Sequence, residues 1–465
     1  GYVGRINYAY DNKYLLEFSF RYDGSSKFPS NSRWGFFPSV SAGWRISQES
    51  FIKDNLSFVN DLKLRASWGR LGDDDLRDPN KPDEVPSLFQ FLSGYTYPSG
   101  GYILGTGGLT PGLTSKGLAN PNITWYTADL YNVGLDGRLW NGLLGFEIDV
   151  FYRKRNDLLA TRVNTLPGTF GASLPKENLD SDSDRGFEIV LKHNNQFSNG
   201  IQYSVKANMA YARSRWEHRE RNTPINSYDN WRNNDTERWK NRYWGYKATG
   251  QFQSYDEIAN APVQDGKGNQ TLRPGDIRYL DYNNDGVIDG NDVHIIGRGE
   301  KPELTFGLDL SASWKGFDVS VFLQGATNFN AYFSDEAQNP FFNAANSYEA
   351  FHDRWHRKDL YNPNSEWIAG KYPSTYSGGS ESNKKTSSFW LQNASYLRIK
   401  DIQIGYSLPR PILDKLRLDG LRVFVSGYNL FTFTGLDLLD PEAPSGRGWY
   451  YPQQKIISFG LNLTL

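Results

Sequence analysis

The chain has no cysteine among its 465 residues, so neither disulfides nor thiol chemistry holds or powers anything in it. It has no excess of either charge: 51 basic residues against 52 acidic ones leave a net charge of -1. Nucleic-acid binding needs a basic face or stripe, and this balance offers none, so no nucleic-acid partner is expected. Long apolar runs are missing too. No uninterrupted stretch approaches the roughly 20 residues of a membrane helix, and the mean hydropathy is -0.63. A helical membrane protein is thereby excluded. A membrane barrel is not, because only every second strand residue must be apolar and long loops dilute the average. No leader segment is apparent; Tyr2 to Tyr10 already reads as a strand, which for an exported protein implies an incomplete or processed chain.

What the sequence has is alternation. Leu304, Phe306, Leu308, Leu310, Ala312 and Trp314 are apolar, while Thr305, Gly307, Asp309, Ser311 and Ser313 between them are small or polar. A strand puts successive side chains on opposite faces, so this stretch has one greasy face and one wet face. The pattern recurs near 2–10, 14–23, 34–47, 61–72, 123–140, 143–156, 184–195, 201–215, 302–315, 316–327, 395–409, 420–432 and 455–465. Phe146, Ile148, Val150 and Tyr152 oppose Glu147, Asp149 and Arg153. Burying such charges in a dry sandwich core would be costly without partners; a wet or plugged lumen accommodates them. Aromatic residues form 15% of the chain, and barrels place such rings at both water–lipid boundaries. The expected fold is all-β, a transmembrane antiparallel β-barrel of about thirteen strands here, with an aromatic-rich soluble sandwich or propeller as the alternative.

The connections alternate in length. Asp11–Lys13, Asn141–Gly142, Gln196–Gly200 and Lys315–Gly316 are short, and Asn-Gly is a strong two-residue hairpin signal. The segments 73–122, 157–183, 216–301, 328–394 and 433–454 are long. Gln48–Asn60 and Pro409–Gly420 read as brief helical turns on the short side. If the last strand runs inward, every long loop falls outside, which is the outer-membrane asymmetry. In Tyr396–Leu408 the apolar set moves from Leu397 and Ile399 to Ile402, Ile404, Tyr406 and Leu408. That parity change predicts a bulge at Lys400–Asp401; the alternative is that only one half of the strand faces the membrane.

Three segments are candidate sites. Asp281-x-Asn283-x-Asp285-Gly286-x-Ile288-x-x-x-Asp292 places oxygen ligands at loop positions 1, 3, 5 and 12. Val287 supplies a carbonyl at 7 and Asp289 a water-mediated contact at 9, the spacing by which a twelve-residue loop wraps a structural Ca2+ ion. The alternative is an Asn/Asp/Gly turn without an ion. Trp231, Trp239, Tyr243 and Trp244, interleaved with Arg232, Arg238, Lys240 and Arg242, suit sugar rings or peptides, although rings that only pack loops together would look the same. His352 and His356 stand four apart in an expected short helix, Asn346–Lys358, but no third zinc ligand is evident. Gly100–Gly117 lacks the lysine of a phosphate loop and reads as an external loop. No catalytic constellation can be assembled, so no enzyme is expected.

Several segments resemble one family in particular. They are Leu16–Phe28 (LEFSFRYDGSSKF), Trp34–Ile46 (WGFFPSVSAGWRI), Asp61–Gly69 (DLKLRASWG), Gly275–Gly297, Pro302–Gly325, Ser395–Leu408 (SYLRIKDIQIGYSL) and Leu421–Thr434 (LRVFVSGYNLFTFT). The chain resembles the C-terminal part of SusC/RagA-type TonB-dependent outer-membrane transporters of Bacteroidetes. The resemblance implies a barrel of about 22 strands, with the N-terminal plug and first strands absent from residues 1–465, and large extracellular loops near 73–122, 216–301 and 328–394. It further implies active import of a glycan or peptide with a SusD-like surface lipoprotein, energised through TonB by way of the plug. A passive porin or signalling barrel, and a soluble all-β binding protein, are the alternatives.

Overall fold

The computed structural model describes residues 1–76, 88–103, 105, 107–163, 167–172, 174–376, 380–442 and 446–465. Thirteen long strands succeed one another as hydrogen-bonded neighbours in chain order. They are β1 (Tyr2–Tyr10), β2 (Tyr14–Gly24), β3 (Trp34–Arg45), β4 (Val59–Asp73), β5 (Tyr126–Leu139), β6 (Leu144–Thr161), β7 (Lys176–Gln196), β8 (Gln202–His218), β9 (Leu304–Trp314), β10 (Phe317–Thr327), β11 (Tyr396–Ser407), β12 (Gly420–Thr434) and β13 (Ile456–Thr464). These are the thirteen strands that alternation predicts. The chain divides into two compact units, residues 1–192 with 212–240, and residues 193–211 with 241–465.

In the first unit the register lines up one apolar row across six strands: Tyr8, Leu16, Ala42, Ala66, Val133 and Val150. Tyr8, Val133 and Val150 are more than half exposed. A soluble protein buries such a row, so its openness fits a lipid-facing surface. The opposite face carries the charges, and they are paired. Arg5 meets Glu17 at 2.5 Å, and Lys192 meets Glu147 at 2.7 Å. Arg65 reaches Asp149, two strands away, at 2.5 Å, by crossing Gly134. A Cβ on Gly134 would lie 2.5 Å from the guanidinium carbon, so only glycine leaves that path open.

The second unit repeats both features. Val205, Leu310, Val321 and Ile402 form one apolar row, and Ala207, Leu308, Leu323 and Ile399 the next. Phe306, Leu308 and Leu310 belong to no buried cluster. Arg422 crosses Gly405 to hold Asp318 at 2.5 Å, with the same loss of space if glycine gained a side chain. Lys400 is the extra residue of a bulge. The ladder to β10 skips from Ile399 to Asp401, and so does the ladder to β12. The insertion keeps Ile399 and Ile402 on one face despite their odd spacing.

Ring pairs sit at the short-turn ends of both units. Tyr10–Tyr14 and Phe58–Trp140 stack at 6.5 and 5.5 Å in the first; in the second Phe197–Tyr203 stack at 5.5 Å and Phe317–Tyr406 meet tilted at 4.5 Å. Amphipathic rings favour the water–lipid boundary. The expected short helical turns are present at Ser50–Lys53 and Arg410–Leu416. The Asn141–Gly142 connection is a four-residue turn, since Leu139 pairs with Leu144 and Trp140 and Asn141 both take positive φ.

The dry cores lie under the long connections. In the first unit Phe28, Phe37, Ile123, Trp125, Leu158 and Trp216 form one. In the second, Phe329, Phe333, Phe351, Tyr372, Trp390 and Leu436 anchor another.

Three expectations about these connections are corrected. The 157–183 loop is shorter, because β6 runs to Thr161 and β7 starts at Lys176. Gly100–Gly117 is largely a hairpin, Tyr95–Ile103 with Leu109–Ser115, with residues 104 and 106 outside the described set. His352 and His356 share no helix. His352 ends a short turn, Glu349–His352, and His356 lies in a two-residue strand opposite Ile368. Residues 77–87 of the 73–122 loop, 377–379 of the 328–394 loop and 443–445 of the 433–454 loop also lie outside the described residues.

Candidate functional site

The long loops of the second unit build a folded layer from short ladders. Arg242–Gly245 pairs with His294–Arg298, Ala248–Gln251 with Ile277–Tyr279, and Asn330–Tyr332 with Leu391–Asn393. The helix Tyr255–Ala259 starts where the Ser254 hydroxyl accepts the Glu257 N–H. At the centre lies Asp276, fully buried. Its carboxylate accepts from the Tyr376 hydroxyl, from Asn383 Nδ2 at 2.8 Å and from the Arg273 N–H at 3.0 Å. Burial raises its pKa above the ordinary carboxylate value against the pull of these donors.

Asp265 shows the opposite balance. Burial pushes its carboxyl up, but the N–H groups of Thr271, Lys267 and Asn269 and the Thr271 hydroxyl outweigh it and bring the pKa down to about 2. An unfolded Asp titrates near ~3.9. The folded value is lower, so the stabilisation of the 262–272 turn is complete above about pH 4 and is lost as pH falls through about 2. The ratio of pepsin cleavage of this turn in the wild type to that in Asp265→Asn, measured in the same digest, is expected to rise as pH falls through that interval; a constant ratio would contradict the account.

The acidic loop forms one compact turn. Asp281 accepts the N–H of Asp285 and Gly286, Asn283 Oδ1 that of Asp285, and Asp285 Oδ1 that of Val287. Asn284 and Gly286 take positive φ. The Ile288 N–H donates to the Val263 carbonyl at 2.8 Å and its side chain is buried. Asp292, the twelfth position, spends its oxygens on the N–H groups of Tyr282, Asn283 and Asp289. Asp289 accepts from the Asn291 N–H. Among the described residues no three His, Cys, Asp or Glu side chains gather as a metal set.

The aromatic candidates are divided between the units. In the first, Trp231 lies on the helix Ser227–Asn233, about half exposed, 5.6 Å from Tyr228. The Arg213 and Arg185 guanidinium groups lie over the Trp239 ring at 3.9 and 4.7 Å. Cations thus already engage this ring, in competition with a sugar. Its neighbour Lys240 reaches the buried Asp182, which also binds Arg155. In the second unit Tyr243 stacks on Tyr332 at 5.4 Å and donates to Glu300, while Trp244 sits opposite Ile295 in a ladder.

A cleft of about 480 Å³ opens instead among Gln338–Asn343, Pro373–Tyr376 and Ser380–Lys384, over Phe351 and Trp390. No period or motif points to it. The only signal in the sequence is the run Gln338–Asn346, rich in amides and phenylalanine and devoid of charge.

The model of the family described as TonB dependent receptor-like, beta-barrel matches residues 2–328. The chain belongs to that family. Its barrels are outer-membrane receptors and transporters, not enzymes. This TonB-dependent receptor barrel is 29% identical to SusC of Bacteroides thetaiotaomicron, a match over 100% of this chain and 43% of SusC. It is 28% identical to the TonB-dependent receptor P26 of Formosa agariphila, over 100% of this chain and 46% of P26. The RagAB peptide importer in its open-open state superimposes on the whole chain with a TM-score of 0.73 at 22% identity, covering 46% of that structure. The chain thus spans about half the length of the relatives it matches.

Proposed function

We propose that this chain is the barrel wall and outer loop layer of an importer of nutrient oligomers, glycan or peptide. In this reading a SusD-like surface lipoprotein delivers the ligand and TonB supplies the work through a plug. The observation that carries the proposal is the likeness to SusC along the whole chain. The wall suits import, because a polar inner face with paired charges lets solutes pass and an apolar outer face meets lipid. The test is uptake of labelled oligosaccharides and peptides by cells carrying the full-length receptor, with and without TonB and the adjacent lipoprotein. Uptake that needs both is expected. Uptake that persists without TonB would instead favour a passive porin.

We also propose that the 281–292 loop binds calcium as a stiffener. Support comes from the ligand spacing and from Asn284 and Gly286, which turn the chain at positions 4 and 6. Calcium is expected to slow proteolysis across 275–300 in the wild type. Asp281→Ala with Asp285→Ala should remove that protection and leave barrel assembly, read by heat-modifiable migration, unchanged. Equal cleavage with calcium and with chelator would remove the ion from the account.

A further inference from the structure

We propose that the cleft between Gln338–Asn343 and the segments Pro373–Tyr376 and Ser380–Lys384 is a binding subsite for a neutral oligosaccharide. This deepens the import reading and rests on it only for the use to which the captured ligand is put. The volume of about 480 Å³ lies within the roughly 300–1,000 Å³ of ligand sites. The floor is fixed: Phe351 and Trp390 are buried, and the Trp390 indole N–H donates to the Asn383 carbonyl at 2.7 Å.

The rim is held in an uncommon backbone state. Phe341, Asn343 and Ala344 have φ of 61°, 49° and 61°, a region that side-chain-bearing residues seldom occupy and that recurs at ligand clamps. This conformation leaves the Phe341 ring 65% exposed at the cleft mouth. On the wall, Ser374 is 8% exposed, yet its hydroxyl has no hydrogen-bond partner among the described residues. Buried polar atoms are nearly always satisfied, so an orphan hydroxyl lining a cleft is matched to a group the ligand brings.

Charge sets the ligand class. Among the described residues the one charged side chain in the lining, Lys384, bonds Glu381 at 3.3 Å. The nearby Asp276 carboxylate is consumed by Tyr376, Asn383 and the Arg273 N–H. A cationic ligand would find no counter-charge in this lining, and an anionic one only Lys384, which Glu381 already engages. What remains is side-chain amide and hydroxyl groups beside an exposed ring. Such a set pairs with sugar hydroxyls while the ring covers the apolar C–H face of a pyranose. One mode of peptide recognition adds the backbone to an open strand edge. The lining at 342–344 is instead a tight turn with Asn343 and Ala344 at positive φ, which offers no such edge.

The test titrates the full-length receptor, purified in detergent, with maltohexaose, laminarihexaose, cellohexaose, xylohexaose and mannohexaose. Oligogalacturonate and a tryptic peptide mixture are the charged and peptide arms. Binding of at least one neutral hexasaccharide is expected. Phe341→Ala should weaken it about tenfold, Asn343→Ala should weaken it measurably, and Phe341→Tyr should keep it within about twofold. The exposure of Phe341 makes folding of these variants safe to assume, and heat-modifiable migration checks it. Binding confined to oligogalacturonate or peptides, binding that none of the variants alters, or no neutral binding at all would overturn the proposal. Uptake separates the two readings. TonB-independent uptake with intact cleft binding sinks the import reading, whereas TonB-dependent uptake without cleft binding sinks only the subsite.

Discussion

Arg398→Ala is expected to destabilise the barrel by about 3 kcal/mol and to free the segment that follows β12. Arg398 is 1% exposed and ion-pairs with Asp440 and Glu442, each at 2.6 Å, while Nε donates to Thr432. Glu442 also accepts from the Tyr396 hydroxyl at 2.7 Å and Gln324 at 3.2 Å, and Lys400 lies 3.5 Å away. Removing one partner of a buried pair costs about 3–5 kcal/mol, because the other charge is left uncompensated. The lower end applies, since Asp440 and Glu442 keep 21% and 18% exposure and some hydration. The bulge now has a use: Lys400, the residue it inserts, joins Arg398 on the carboxylate. Urea unfolding in lipid vesicles measures the loss, and proteolysis within 435–454 reports the freed segment. Arg398→Met with Lys400→Met, Asp440→Asn and Glu442→Gln should recover much of it, because no member of the network is then left charged. A single Arg398→Ala variant as stable as the wild type would contradict the latch.

Leu308→Arg is expected to cost about 2–4 kcal/mol, the penalty for a cation on the lipid face near mid-membrane. Asp309→Ala, one residue along and on the other face, should stay within about 0.5 kcal/mol. Ile148→Arg should behave as Leu308→Arg does, because its side chain shares the apolar face of β6 with Val150. Vesicle refolding with urea titration reads all three. Equal penalties at Leu308 and Asp309 would remove the lipid assignment.

The strands are legible in the sequence because lipid on one side and polar groups on the other impose a strict period of two. Even the shift at Lys400 shows, since a bulge changes parity along one strand. Legibility ends where that constraint ends. The first residues of β7, Lys176–Asp184, are polar on both faces but for Leu179, so alternation starts the strand only at 184. The short ladders of the loop layer pair segments of three to five residues drawn from distant parts of the chain, too brief to show a period. Trp239 cannot be told from a sugar platform by sequence, because its arginine partners come from β7 and β8. The cleft is hidden for the same reason: its walls are three segments, and only their folding sets the Ser374 hydroxyl beside the Phe341 rim.

The central claim is that one face of each long strand touches hydrocarbon while the other borders an aqueous interior. Spin labels placed singly at residues 305 to 311 of β9 in vesicles, read for collision with oxygen and with a water-soluble nickel complex, test it most directly. The account predicts strict alternation, with oxygen favoured at 306, 308 and 310 and nickel at 305, 307, 309 and 311. A run of positions shielded from both reagents, as in a dry core between two layers, would contradict it.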